Sequence, residues 1–255
     1  MEILYLCFFA FLAGFIDSVV GGGGLIQLPA LLIFLPQVPV PTLLGTGKLA
    51  GLSGTAAAMW RYSRSVKLPW QSLLPAAATA FGFAFLGARA VSHLPQEALR
   101  PLVLVLLVAV AFYTFFKKDM GALHAPRLTL GREQLFAMLT GAIIGFYDGF
   151  FGPGTGSFLI FIFIGIFGFS FVSASASAKV VNVATNLAAL AYFIPQGHVL
   201  YHIAIPMGIC NVLGSIIGSR MAIKFGSGFV RRLFLVVVTG IILKVAYDTF
   251  LKGSF

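Results

Sequence analysis

The sequence predicts an all-α, polytopic membrane protein built from two repeats that lie in opposite orientations across the bilayer. Three observations carry this reading. Apolar residues make up 59% of the 255-residue chain and charged residues only 9%. The chain matches itself when shifted by 131 residues. Finally, the connections that correspond under this shift carry opposite charge signatures.

Composition sets the class. A water-soluble domain carries about a quarter of its residues as charges, and the mean hydropathy here is +1.01. Apolar runs such as 99–116 and 233–243 approach or reach membrane-spanning length with almost no internal charge. A transmembrane barrel would show alternating strands of about ten residues, a pattern this chain lacks. The net charge of +10 raises the question of nucleic acid. The basic residues, however, cluster in short connections: Arg61, Arg64 and Lys67; Lys117, Lys118, Arg127 and Arg132; Arg220, Lys224, Arg231 and Arg232. That is the positive-inside pattern, and it leaves no soluble domain to read a groove. Cys7 and Cys210 sit in apolar segments without metal or CxxC spacing, so neither a disulfide framework nor a metal site is expected. Lys48 is the first basic residue, so no cleaved signal peptide is expected and the first helix should stay in the membrane.

The repeat is visible in its rare polar residues. The shift of 131 places Asp17 on Asp148, Lys48 on Lys179, Pro75 on Pro206, Gly87 on Gly218 and Arg89 on Arg220. The predicted units are a first membrane repeat at 1–120, a cytoplasmic connection at 121–132 and a second membrane repeat at 133–255. Helices are expected at about 3–20, 43–62, 69–92 and 99–116, then at about 134–151, 175–193, 203–223 and 232–251. Short apolar segments at 25–35 and 156–167 follow each glycine run. They are too short to span the ~20 residues of a straight crossing, so each is a re-entrant half-helix or a tilted short crossing. The total is eight to ten membrane segments. The connection 61–67 is basic while its counterpart 195–202 has no Lys or Arg; 93–100 is nearly balanced while 224–232 is strongly basic. The halves should therefore be inverted, with both termini outside the cytoplasm.

Each half breaks its first helix beside an aspartate, at "GFIDSVVGGGG" and "GFYDGFFGPGTGS". Glycines let the chain leave helical geometry and bring bare N–H groups to a ligand. The following half-helix points its partly positive end at the same place. At membrane depth such backbone survives only inside protein or beside a water-filled cavity. The candidate anion-binding positions are Gly21, Gly22, Gly23 and Gly24 in the first half, and Gly152, Gly154, Thr155 and Gly156 in the second. The competing reading is tight helix packing, which is expected of Gly47-x-x-x-Gly51, Gly141-x-x-x-Gly145 and Gly214-x-x-x-Gly218. A lysine within a membrane helix costs about 2.5–3.5 kcal/mol on insertion scales, so Lys48 and Lys179 should have a partner or a task. Lys179 shares a helical face with Asn182 and Asn186, and the matching face carries Lys48, Gly51 and Thr55. Alternatively the lysines snorkel to the interface or pair with an aspartate. Asp17 and Asp148 are read either as proton-carrying carboxylates or as structural partners that cap the broken helix or neutralise the lysines. Arg89 and Arg220 are read as interfacial anchors, with a gate charge as the alternative.

Enzyme motifs are absent. "GPGTGS" lacks the lysine of a phosphate loop, and there is no HExxH, nucleophile elbow or histidine cluster. "SASASA" at 173–178 reads as small-residue packing or a flexible helix start.

The doubled glycine motif together with "SAKVVNVATN" resembles the TauE/SafE family of sulfite exporters, in both halves and over nearly the whole chain. The resemblance implies transport of sulfite or small organosulfur anions across a bacterial inner membrane. By motif it carries over Gly21 to Gly24, Lys48, Gly152 to Gly156, Lys179 and Asn182 as binding positions. The family often places an asparagine directly before the first-half lysine, where this chain has Gly47. The function expected is secondary transport, as an exporter working by alternating access, with proton coupling resting on Asp17 and Asp148. An anion channel of the same fold is the alternative, and a membrane-embedded enzyme is more distant. Expected partners are the bilayer and a small anion, with a homodimer left open; neither a cofactor nor nucleic acid is expected. Lys179→Ala is expected to abolish anion uptake with the fold intact.

Overall fold

A chain in hydrocarbon must satisfy its backbone polar groups internally, and this one does so with helices. The computed structural model describes residues 1–116 and 128–250; among them it contains nine helices and no strand. They are α1 (Glu2–Val20), α2 (Gly24–Phe34), α3 (Val40–Ser63), α4 (Trp70–Ser92), α5 (Gln96–Phe116), α6 (Leu130–Phe150), α7 (Thr155–Gly165), α8 (Phe171–Phe193) and α9 (Tyr201–Phe250). α9 is two helices run together, because Gly226 adopts φ 65°, ψ −162° inside it. The connection expected at 121–132 lies mostly outside the described residues, as do Lys117, Lys118 and Arg127 and the last residue of the expected 232–251 helix.

Helix boundaries repeat with the 131-residue shift. α2 and α7 correspond at both ends, and α3 with α8 and α4 with α9 correspond at their first residues. α3 and α8 begin three to four residues earlier than the apolar pattern suggests, each for a chemical reason. Pro41 occupies the first turn of α3, where its missing N–H costs nothing. In α8 the Ser170 hydroxyl caps the helix by accepting the Ser173 N–H. The 11-residue α2 and α7 are only about 16 Å long, short of a ~30 Å hydrocarbon core. Among the described residues Glu2–Val20, Trp70–Ser92 and Tyr201–Gly226 are long and apolar enough to cross a membrane. α3 and α8 are long enough, but glycines, hydroxyls and a lysine dilute their apolar character; they form the interior.

The halves pack by exchange: α1 lies along α9, and α6 lies along α4. Glycine makes both contacts possible. Gly141, Gly145 and Gly149 sit on the carbonyls of Ala76, Ala80 and Ala84. Gly14 sits on that of Asn211, and Gly214 on that of Phe11. A Cβ at any of these would overlap backbone, as small-residue interfaces in membranes require. Gly47-x-x-x-Gly51 departs from this expectation: Gly51 has no atom within 4 Å of its would-be Cβ, because that face of α3 borders a cavity. Pro75 in α4 cannot bond the Gln71 carbonyl. Gln134 Nε2 of α6 donates to that carbonyl instead, at 3.1 Å, so the exchange also repairs the backbone.

α3 and α8 run antiparallel. His198, just beyond α8, contacts Thr42 at the start of α3 (Nδ1 to Oγ1, 3.2 Å). At the other end of α3, Phe163, Phe167, Phe169 and Phe171 from the α7–α8 corner share one core with Tyr62.

Candidate functional site

The site forms where the two broken helices meet. α1 ends on Gly21 in the left-handed conformation (φ 79°), whose N–H donates to the Asp17 carbonyl at 2.9 Å. The corresponding Gly152 is also left-handed (φ 95°), as is Gly154 (φ 84°). These are the positions where only glycine fits without strain. The two breaks lock together: Ser157 N–H donates to the Gly21 carbonyl (3.2 Å) and Ser157 Oγ to that of Val20 (2.9 Å). Thr155 Oγ1 donates to the Gly152 carbonyl (2.7 Å) and Tyr147 Oη to that of Pro153 (2.7 Å).

Around this junction the charges pair across the repeat. Lys48 Nζ of α3 reaches Asp148 of α6 at 2.7 Å. Lys179 Nζ of α8 reaches Asp17 of α1 through both its carboxylate (2.6 Å) and its carbonyl (2.5 Å). Thr55 Oγ1 also donates to the Asp17 carboxylate, at 3.2 Å. Of the readings open in the sequence, pairing describes both lysines. The partner in each case belongs to the opposite half. A buried charge is tolerated when so paired, and the Lys179 pair is hydrogen-bonded as well.

A cavity of about 100 Å³ adjoins these pairs. At about 30 Å³ per water, it holds a few waters or one small oxyanion. The first break contributes Gly21, Gly23 and Gly24 to its wall; the second contributes Gly152, Gly154, Thr155 and Gly156. Lys48 and Thr55 line it from α3, Asn182 and Asn186 from α8, and both aspartates border it. The Asn182 Oδ1 is buried without a partner among the described residues. Turning that amide over would present N–H donors to an anion instead. In the first turns of α2 and α7 the Leu25, Ile26, Thr155 and Ser157 N–H groups donate to the carbonyls of Gly22, Gly23, Gly152 and Gly21, which leaves those of Gly24 and Gly156 without a backbone acceptor among the described residues.

Two candidates do not reach the cavity. Gly22 packs beside Ser157, Leu25 and Ile16. Lys179 is fully buried beneath Asp17. Conversely, Gln27 and Asn211 line the cavity although repeat-based reasoning passes over them. Asn211 Nδ2 donates to Gln27 Oε1 (3.0 Å) and to the Ala10 carbonyl (3.1 Å), and Gln27 Nε2 donates to the Gly47 carbonyl (2.8 Å). Their counterparts are Phe158 and Ala80, so matching the halves hides them. Their signal is that each is a lone amide in an apolar run.

The cavity is lopsided. On α3 it extends from Thr55 through Lys48 and Gly47 to Leu44 and Leu43. On α8 it stops at Asn182; the matching Lys179, Ala178, Ser175 and Ala174 are fully buried. The hydroxyl of Ser175 has no partner among the described residues.

Comparison with known proteins agrees with this architecture. The family model described as "Sulfite exporter TauE/SafE" matches residues 6–245. A "Probable membrane transporter protein ORF9" from a Sinorhizobium species is 36% identical over 240 residues, covering 94% of this chain and 90% of that protein. The Escherichia coli K12 "Probable membrane transporter protein YfcA" is 32% identical over 244 residues, 96% of this chain and 89% of that one. A "Probable membrane transporter protein" of Haemophilus influenzae is 30% identical over 238 residues, with 93% and 92% covered. No solved structure matches the chain. A multi-pass helical membrane protein, the chain belongs to the TauE/SafE sulfite exporter family.

Proposed function

We propose that this protein is a secondary transporter that exports small sulfur-containing anions, such as sulfite or organosulfonates, across a bacterial inner membrane by alternating access. The observation that carries the reading is the crossed pair of ion pairs at the junction of two broken helices, beside a cavity that passes the lysine on α3 but stops short of it on α8. Irregular backbone, paired charges and inverted repeats meeting at one place are the plan of secondary transporters. The family's description as sulfite exporters supports the substrate class, and its relatives' names support transport.

The lopsided cavity supports alternating access. Two halves with the same element order can exchange roles, so the filled α7–α8 arm has the α2–α3 arm as its open counterpart. An unpartnered buried hydroxyl such as Ser175 costs about 1–3 kcal/mol; in the exchanged state water or substrate would reach it. Charge balance suggests the coupling. The two ammonium groups and two carboxylates cancel, so an incoming anion leaves a net negative cavity unless a carboxyl takes up a proton. Proton and anion would then move together, with the repeats inverted and both termini outside the cytoplasm.

Proteoliposome flux tests this directly. Sulfite efflux should saturate, be accelerated by sulfite on the opposite side, and respond to an imposed pH gradient. Large unitary currents in planar bilayers would instead assign the fold to a channel. Single cysteines at Ser65 and Gly197 should label from opposite membrane faces; labelling from one face ends the inversion.

A further inference from the structure

We propose a second oxyanion site, separate from the transport cavity, that holds the phosphate of an anionic lipid headgroup. It is a cleft of about 330 Å³ between the C-terminal end of α3 and the turns of α9 that precede Gly226. Trp60, Arg61, Arg64, Ser65, Arg220 and Lys224 line it. Four cations from segments far apart in sequence, one in each half, converge here. Among the described residues the ion pairs are the two at the transport cavity, and none of these four cations has a described carboxylate within salt-bridge reach.

Topology alone does not account for this. The positive-inside pattern fixes the sign of a loop's charges, but it does not draw two loops together around one hollow. Like charges gathered in a cleft repel unless an anion sits between them. Arg61 adds a directional requirement: its Nε is buried and has no partner among the described residues. Guanidinium groups match phosphate oxygens in a fixed fork. The Ser65 hydroxyl donates to the Arg61 carbonyl (3.2 Å), leaving the cations as the donors for a ligand.

The surroundings favour a lipid over a free ion. Trp60 is 57% exposed and Phe225 is 53% exposed beside the cleft. The Arg64 guanidinium lies 4.6 Å from the Trp60 ring centre, and Lys224 Nζ 5.4 Å from that of Phe225. Basic groups mounted on exposed aromatic rings are the signature of the headgroup layer. Because the cleft joins α3 of one half to α9 of the other, an occupant would tie the halves together at this end.

The test uses the detergent-purified full chain, following tryptophan fluorescence and thermal unfolding. The titrants are dioctanoyl phosphatidylglycerol, dioctanoyl phosphatidylcholine and inorganic phosphate. The glycerol lipid should give a saturable response that the choline lipid does not. Arg61→Gln with Arg220→Gln should weaken it about 30-fold. Should that double variant fail to fold, the exposed Arg64→Gln and Lys224→Gln should each weaken it about fivefold. Equal responses to both lipids, or unchanged affinity in the variants, would overturn the site. Saturation by inorganic phosphate at the same residues, without a lipid response, would overturn the lipid and assign the cleft to a free oxyanion.

Discussion

Lys48 and Lys179 hold matched positions in the two repeats, and each neutralises the aspartate of the opposite half. Their surroundings differ. Lys48 borders a cavity that continues past Gly47 to Leu43 and Leu44. Lys179 is sealed among Ala174, Ser175 and Ala178, beside a core of phenylalanines. A single helical plan thus supports a hollow arm and a filled one. The difference lies in which arm is packed, since both carry the same charges. Under the proposed alternating access, symmetric charge with asymmetric packing is what one of the two states would present.

The largest effect should come from the lysines. Lys179→Ala removes both hydrogen bonds that the ammonium makes to Asp17 and leaves a void in packed protein, so it should destabilise by about 3–5 kcal/mol, read by thermal unfolding in detergent. The fold is therefore not expected to be indifferent to this change, contrary to the expectation from sequence. Lys48→Ala opens into the existing cavity, where water can enter. It should unfold at a higher temperature than Lys179→Ala while its sulfite flux falls to background. Equal stability losses would remove the distinction between the arms.

Next in size are the glycines. Gly21→Ala forces a side chain into a left-handed position and against the Gly156 backbone; it should cost about 3 kcal/mol or more in thermal unfolding. Gly51→Ala meets open space and should gain up to about 1 kcal/mol from helix propensity, while slowing flux by narrowing the cavity. A destabilised Gly51→Ala would mean that the α3 arm is packed after all.

Ser175→Ala tests the filled arm more gently. Removing an unpartnered buried hydroxyl should stabilise the observed state by about 1 kcal/mol and slow turnover, because the exchanged state loses a polar group. A faster transporter would contradict this. The mildest probe is chemical. In a chain lacking Cys7 and Cys210, Leu44→Cys should react readily with a water-soluble thiol reagent and Ser175→Cys slowly, with substrate altering both rates. Equal reactivity would abolish the asymmetry.

Much of this was legible in the residues. The left-handed Gly21 and Gly152, the helix starts 131 residues apart and the two short helices follow from glycine, proline and apolar length, all local properties. The crossing of the ion pairs was not legible. Asp17 and Lys48 share one repeat and Asp148 and Lys179 the other, and nothing in the spacing says that each aspartate bonds the lysine of the other half. Gln27 and Asn211 escaped because they break the repeat. Gly47 and Gly51 resemble a packing motif, and only the open space beside Gly51 shows that this face borders a cavity.

The sequence by itself determined that this chain lives in a membrane, is helical, breaks its first helix twice and places a lysine and an aspartate in each half. Those features depend on transfer free energies and backbone preferences, which each segment carries with it. Tertiary structure alone decided which charges meet, which arm is hollow and where four surface cations gather. Such outcomes depend on how helices distant in sequence fit against one another, and small changes in that fit leave the composition of each helix untouched.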